Sequence, residues 1–331
     1  MFDLDFPRAF PALAASADFR STPEDFCVEE QLGFALADNG EHLCLHIEKR
    51  GQNTVWVAKQ LAELANIKQM DVGYCGLKDR HAVTRQWFSL YLGFDKVVGR
   101  NREIDAQTIQ IEGCNILACT RHNKKLRPGT HAANQFTIRL RNVQGEREQL
   151  RQRFDDISAQ GVPNYFGEQR FGFQGANLQQ ARALEGQPTA VWRQRKNQFA
   201  LSAVRSWLFN RVLAAHIANG TWRTSIAGEP LPEASAPLWG RGRLSSTEAL
   251  LAFEQETLAE LTAWRDVLEH VGLQQERRVL RLRPTNTQQQ WEGDSWTIQF
   301  QLPPGTYATS VLRELLTVNN RALAAESPQP N

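Results

Sequence analysis

The 331-residue chain has no CxxC pair, no GxxxxGK(S/T) or GxGxxG phosphate cradle and no GxSxG nucleophile elbow. Their absence removes the usual sequence grounds for a zinc ribbon, a nucleotide cofactor or an α/β-hydrolase. No stretch approaches the roughly 18 consecutive apolar residues of a membrane helix. The opening "MFDLDFPRAF" is acidic where a secretion signal is basic, and no apolar core follows it. The five cysteines, Cys27, Cys44, Cys75, Cys114 and Cys119, are odd in number and scattered. They read as reduced thiols, so a cytoplasmic location is expected, with no membrane contact. Internal repeats and low-complexity tracts are also missing. Lysine is scarce: only eight of the 38 Lys and Arg are Lys. The excess of Arg favours planar forks that bind phosphate and stack on bases. A net charge of +2 neither demands nor excludes a polyanionic partner.

What is present suits an ordinary α+β protein long enough for about two domains. "HLCLHI" alternates Leu43, Leu45 and Ile47 against His42, Cys44 and His46, as a strand does. "TVWVAKQLAELAN" reads as a helix capped by Asn53. "QFTIRLRNV" puts Phe136, Ile138 and Leu140 on one strand face. Near residue 144 the texture turns helical. Ala200, Val204, Leu208 and Val212 recur at helical spacing, and Gly220 follows their helix. Residues 221–243, rich in Gly and Pro, read as loop, and two helical stretches follow from about 246 to 271. Strand patterns return at "RRVLRLRP" and "SWTIQFQLPPG". Strands thus stand at both ends with helices between. This predicts one α+β domain from residues 1–159 and 284–331, and an inserted, mostly helical domain at 160–283.

Three features carry candidate chemistry. In "GLKDRHAVTRQ", residues 76–86, Asp79 sits between Lys78 and Arg80. Adjacent cations favour an ionised carboxylate, which suits a nucleophile, a base or an electrostatic stabiliser. His42, Cys44 and His46 share one strand face and make a metal site conceivable, without an evident fourth ligand. Basic clusters stand at Arg121, Lys124, Lys125 and Arg127, at Arg193, Arg195 and Lys196, and at Arg277, Arg278, Arg281 and Arg283. Together with Tyr165, Phe166, Phe171 and Phe173 they suit RNA.

"GLKDRHAVTRQ" closely resembles the catalytic motif of the tRNA pseudouridine synthase D (TruD) family. Four further stretches resemble that family in the same order: "TPEDFCVEE", "GTHAANQFTIRL", "GVPNYFGEQRFG" and "LPPGTYATSVLREL". The resemblance spans about residues 19 to 317. It implies a pseudouridine synthase domain around an antiparallel sheet, with a family-specific insertion. The implied activity is isomerisation of uridine to pseudouridine in tRNA, at uridine 13 of tRNA(Glu), without cofactor, metal or obligate protein partner. By the same resemblance Asp79 is the catalytic aspartate, and Phe26 and Asn134 contact the substrate nucleotide. Phe136 stacks on the target base, and Tyr307 stands where the family commonly has Phe. Arg20 replaces a frequent Lys, and with Lys78, Arg80, Lys124 and Lys125 it supplies charge support or phosphate contacts. A basic cleft between the domains is expected, with Asp79 at its floor. Two other classes fit the same residues: a non-catalytic tRNA-binding or tRNA-folding protein, and an aspartate-dependent glycosidic hydrolase that would release free uracil.

Overall fold

Apolar alternation at both ends of the chain resolves mainly into one ten-stranded sheet. The computed structural model describes residues 2–95, 100–101 and 103–322. The chain folds as two compact units. One comprises 14–151, 284–305 and the segment from 316. The other comprises the N-terminal segment to Leu13 together with 152–283 and 306–315.

The first unit is built on ten strands. In chain order these are β1 (Ser16–Phe19), β2 (Phe26–Gln31), β3 (His42–Arg50), β4 (Val72–Tyr74), β5 (Val83–Tyr91), β6 (Cys114–His122), β7 (Ala133–Gln144), β8 (Thr285–Glu292), β9 (Ser295–Leu302) and β10 (Thr317–Asn320). Their order is β8-β9-β7-β2-β5-β3-β6, with β4 beside β5 and β1 bridging β7 and β10. The expected antiparallel sheet is in fact mixed: β2 runs parallel to β5, and β1 parallel to β10. The parallel β2–β5 pair matters most, because it sets the N-terminal ends of two central strands side by side.

One face of the sheet is largely apolar. Leu43, Leu45 and Ile47 of β3 face Leu90, Phe88 and Gln86 of β5. The helix Thr54–Leu64 covers them with Val57, Ala58 and Leu61, all buried. Asn53 caps that helix by accepting a hydrogen bond from Val55 N at 2.8 Å. Each large apolar side chain sealed here contributes about 1.5–3 kcal/mol. Gly73 of β4 has no side chain because none fits. A Cβ there would stand 2.4 Å from Leu126 O, so glycine lets the 121–131 loop lie directly on the strand.

The second unit is mainly helical, with Gln198–Ala218 at its centre. Ala200, Val204, Leu208 and Val212 are all buried there. The expected split gave 1–13, 152–159 and 306–315 to the sheet domain, but all three belong to this unit. Apolar packing explains the difference: Phe2 and Phe6 pack on Trp207 with ring centroids 5.4 and 5.1 Å away. Glu314 of the helix Ala308–Leu315 also accepts the backbone N–H groups of Ala9 and Phe10. The expected loop at 221–243 contains a strand, Ser235–Leu238, paired with Glu276–Val279. Its proline sits in a two-stranded ribbon, where a missing donor is tolerated. Among the described residues no helix is long and apolar enough to cross a membrane.

Candidate active site

Three buried rows of the sheet end in polar residues. On β2 the inward row is Phe26, Val28 and Glu30, and on β3 it is Leu43, Leu45, Ile47 and Lys49. On β5 it includes Phe88, Gln86 and Thr84. Buried charges and amides require partners. The segment from Cys75 to Ala82, just before β5, provides them.

Gln86 Nε2 donates to Gly76 O at 3.1 Å. Lys78 N donates to Thr54 Oγ1 at 3.0 Å, and that hydroxyl donates to Gln86 Oε1 at 2.9 Å. Lys49, wholly buried, donates from Nζ to Asp79 O at 3.0 Å and to Gln52 O at 2.8 Å. Burial pushes the Lys49 pKa down to about 8, and the Asp79 charge opposes that fall. The backbone that carries Asp79 is thus tied to the core at several consecutive points.

The Asp79 carboxylate turns the other way. Its side chain is 35% exposed and forms an ion pair with Arg20 Nη2 at 3.2 Å. Arg20 follows β1 with φ 57°, a left-handed backbone that costs a non-glycine residue about 1–2 kcal/mol. Its guanidinium lies 4.2 Å from the ring centre of Phe26 and 4.8 Å from that of Phe19. Burial pulls the Arg20 pKa down, and Asp79 counteracts this. Phe26 in turn leans on Phe136 at 5.9 Å, and Phe136 on Phe300 at 5.6 Å. A carboxylate with one side on a fixed guanidinium and the other open to solvent can act as a nucleophile or a base.

Of the two flanking cations, Lys78 does not do what its adjacency suggested. Lys78 points inward. Its Nζ pairs with Glu30 at 3.0 Å and donates to Asn134 Oδ1 at 2.5 Å. Its side chain is 4% exposed and that of Glu30 is 0%, so Lys78 is sealed away from phosphate. The reason is register: Glu30 and Asn134 are direct partners across β2 and β7, and a buried carboxylate there needs a cation. Asn134 Nδ2 lies 3.1 Å from His131 Nε2, so its amide is engaged at both ends. Arg80 stays exposed and places Nε 3.3 Å from Gly51 O. Lys124 is exposed, while Lys125 donates to Met70 O.

Glu30, Cys75 and His131 bring three potential metal ligands within 4.8 Å, the only such set found among the described residues. Its carboxylate already holds the Lys78 ammonium. Burial raises the Cys75 thiol to about 11 and lowers the His131 imidazole, so both favour their neutral forms. The His42, Cys44 and His46 row is not such a set. His46 stacks on Trp87 at 4.9 Å and pairs with Glu29 at 3.5 Å, and His42 lies against Tyr91.

Tyr307 belongs to the helical unit. Its hydroxyl accepts from Arg170 Nη2 at 2.8 Å, and its ring faces Phe166 at 6.2 Å. The extra oxygen relative to Phe therefore has a partner. Of the arginines of 277–283, the Arg277 and Arg278 guanidinium groups are buried, while Arg283 pairs at the surface. Arg277 pairs with buried Glu254 at 2.7 Å, and Arg281 and Arg283 both reach Glu233. Arg278 lies 4.3 Å from the centre of the Phe166 ring, its pKa pushed down to about 10 by burial. Arg277 and Arg278 are thus structural. Arg195 and Lys196 remain exposed.

Sequence reading missed Glu30, Lys49, Thr54, Gln86 and His131. A signal existed for two of them. Lys49 continues the Leu43–Leu45–Ile47 row, and Glu30 continues Phe26–Val28. A charge at an apolar position of a strand is buried, and so must be paired.

Comparison with known proteins identifies the family. A family model described as "tRNA pseudouridine synthase D (TruD)" matches residues 14–184 and 233–315. The tRNA pseudouridine synthase D of Cellvibrio japonicus is 48% identical over 97% of this chain and 96% of its own. That of Xanthomonas axonopodis pv. citri is 43% identical over 93% and 94%. A crystal structure from Methanosarcina mazei, carrying the TruD name, superposes with a TM-score of 0.66 at 20% identity, covering 95% of this chain and 96% of its own. That last likeness supports the α+β fold. The long relatives and the family model together place the chain in the tRNA pseudouridine synthase D (TruD) family, whose members are isomerases.

Proposed function

We propose that the protein converts uridine to pseudouridine in tRNA, at uridine 13 of tRNA(Glu), with Asp79 as the reacting carboxylate. The observation that carries this reading is the contrast within one dipeptide: Lys78 is locked in the core while Asp79 is held open against Arg20. The isomerisation breaks the bond from ribose C1′ to uracil N1, turns the base and joins C1′ to C5. The proton on C5 is released and N1 gains one, so no redox partner is needed. Asp79 serves either by attacking C1′ or by removing the 2′ proton to give a glycal. In both routes Arg20 balances the charge and Lys49 fixes the backbone.

Phe136 stacks on the uracil, since stacking tolerates rotation, and Phe26 supports Phe136 from 5.9 Å. Asn134, held by Lys78 and His131, lines the same side of the sheet unit. Arg80, Lys124 and the exposed pair Arg195 and Lys196 supply phosphate contacts, which set position rather than sequence. The setting for this work is the cytoplasm, where tRNA is the partner.

The test uses unmodified tRNA(Glu) transcript, purified protein and no added cofactor. Pseudouridine has the mass of uridine, so it is mapped by carbodiimide labelling and primer extension. A protein-dependent block at uridine 13 is expected. A binding protein would give tight tRNA association and no block, and a hydrolase would release uracil.

A further inference from the structure

The segment that carries Asp79 presents a second side chain beside it. Leu77 is 70% exposed, Lys78 turns into the core, and Asp79 turns out again. This out-in-out alternation puts Leu77 and Asp79 on the same solvent side of one short stretch. A lone exposed leucine ordinarily needs no explanation. This one differs because its backbone is fixed on both sides. Gly76 O accepts from buried Gln86, and Lys78 N donates to buried Thr54. Those two side chains are bonded to each other. Leu77 is therefore a rigid apolar post, two residues from the reactive carboxylate, rather than the tip of a loose loop.

Chemistry at C1′ of a tRNA uridine requires that nucleotide to leave its stack. Apolar side chains such as Leu are the type that proteins insert where a base step is opened. We propose that Leu77 is the wedge for this enzyme, packing against the nucleobase next to the target uridine and filling the place the uridine leaves. This rests on the reading of Asp79 as the group that meets the target. A short polar side chain such as Ser at position 77 would not fill the gap, and it forfeits its own hydration against a base face.

Single-turnover pseudouridine formation on two RNAs tests the idea. One is the tRNA(Glu) transcript. In the other, the nucleotide 3′ to the mapped target is replaced by an abasic residue, so that the target is already loosely stacked. Leu77→Ser is expected to slow the transcript by about 10- to 100-fold and the abasic RNA by less than about 3-fold. Leu77→Met is expected to match the wild type on both. Equal slowing on both RNAs would mark a distorted loop, and an unchanged rate on the transcript would mark an idle side chain; either overturns the wedge. A readout free of chemistry uses the Asp79→Asn background with 2-aminopurine beside the target. Its fluorescence should rise on binding when Leu77 is present and not after Leu77→Ser. Should the wild type itself make no pseudouridine on the transcript, the parent reading fails, and that outcome involves no Leu77 variant.

Discussion

Two charged stretches look alike in the sequence and differ completely in the folded chain. In Lys78-Asp79-Arg80 a carboxylate stands open to solvent, paired with an arginine 59 positions earlier in the chain. In the ribbon strand Glu276–Val279, Arg277 is sealed against Glu254, and Arg278 lies against Phe166 and Phe209. The first stretch displays Asp79 and Arg80, and the second consumes Arg277 and Arg278. A cluster of cations is therefore an RNA surface only where internal anions leave it unclaimed, and those anions lie far away in sequence.

This contrast is sharpest in stability. Arg277→Ala leaves Glu254, which is 0% exposed, without its cation. A loss of about 3–5 kcal/mol is expected on chemical denaturation, with the salt dependence of tRNA binding unchanged. A weakened salt slope with intact stability would move Arg277 to the surface.

Within the Lys78–Arg80 stretch, Lys78→Met should cost a similar amount, because Glu30 is sealed as well. The double variant Lys78→Met/Glu30→Leu should recover much of that loss. The double-mutant cycle would thus report strong coupling, whereas additive losses would mean that the pair does not form.

A smaller effect concerns Lys49. Its folded pKa, about 8, lies below the ordinary value of 10.5. Between those values the unfolded chain still holds the proton that the folded chain has released. Stability from this group therefore rises as pH climbs through that window, and is lost as pH falls through about 8. The difference in melting temperature between the wild type and Lys49→Met should shift in favour of the wild type from pH 8 to 10.5. A flat difference would show that the lysine is not held in a low-dielectric site.

The smallest effects belong to the exposed cations. Lys124→Glu and Arg127→Glu should leave melting unchanged. Each should lower the salt slope of tRNA binding by about 1. A melting change without a slope change would place them with the Arg277 class.

Much of the fold was legible because periodicity reports burial directly. The Leu43–Leu45–Ile47 row, the Asn53 cap and the Ala200–Val212 spacing all translate into buried faces. The Ser235–Leu238 strand was hidden, because its partner ladder and not its own composition creates it. At the site, the motif pointed to Asp79 but not to its geometry. Neighbours in sequence alternate in direction, so Lys78 went to Glu30. The cation that serves Asp79 arrived through the β1 turn at Arg20. Residues 1–13 joined the helical unit through Phe2 and Phe6, a tertiary contact that no local pattern encodes.

The central claim is that the open carboxylate of Asp79 does the chemistry. The direct measurement is the single-turnover rate of pseudouridine formation by Asp79→Asn, a substitution of equal shape, alongside its tRNA affinity. The account predicts a rate lower by at least about 10³-fold with binding retained. A variant that still forms pseudouridine at a rate near that of the wild type would contradict it.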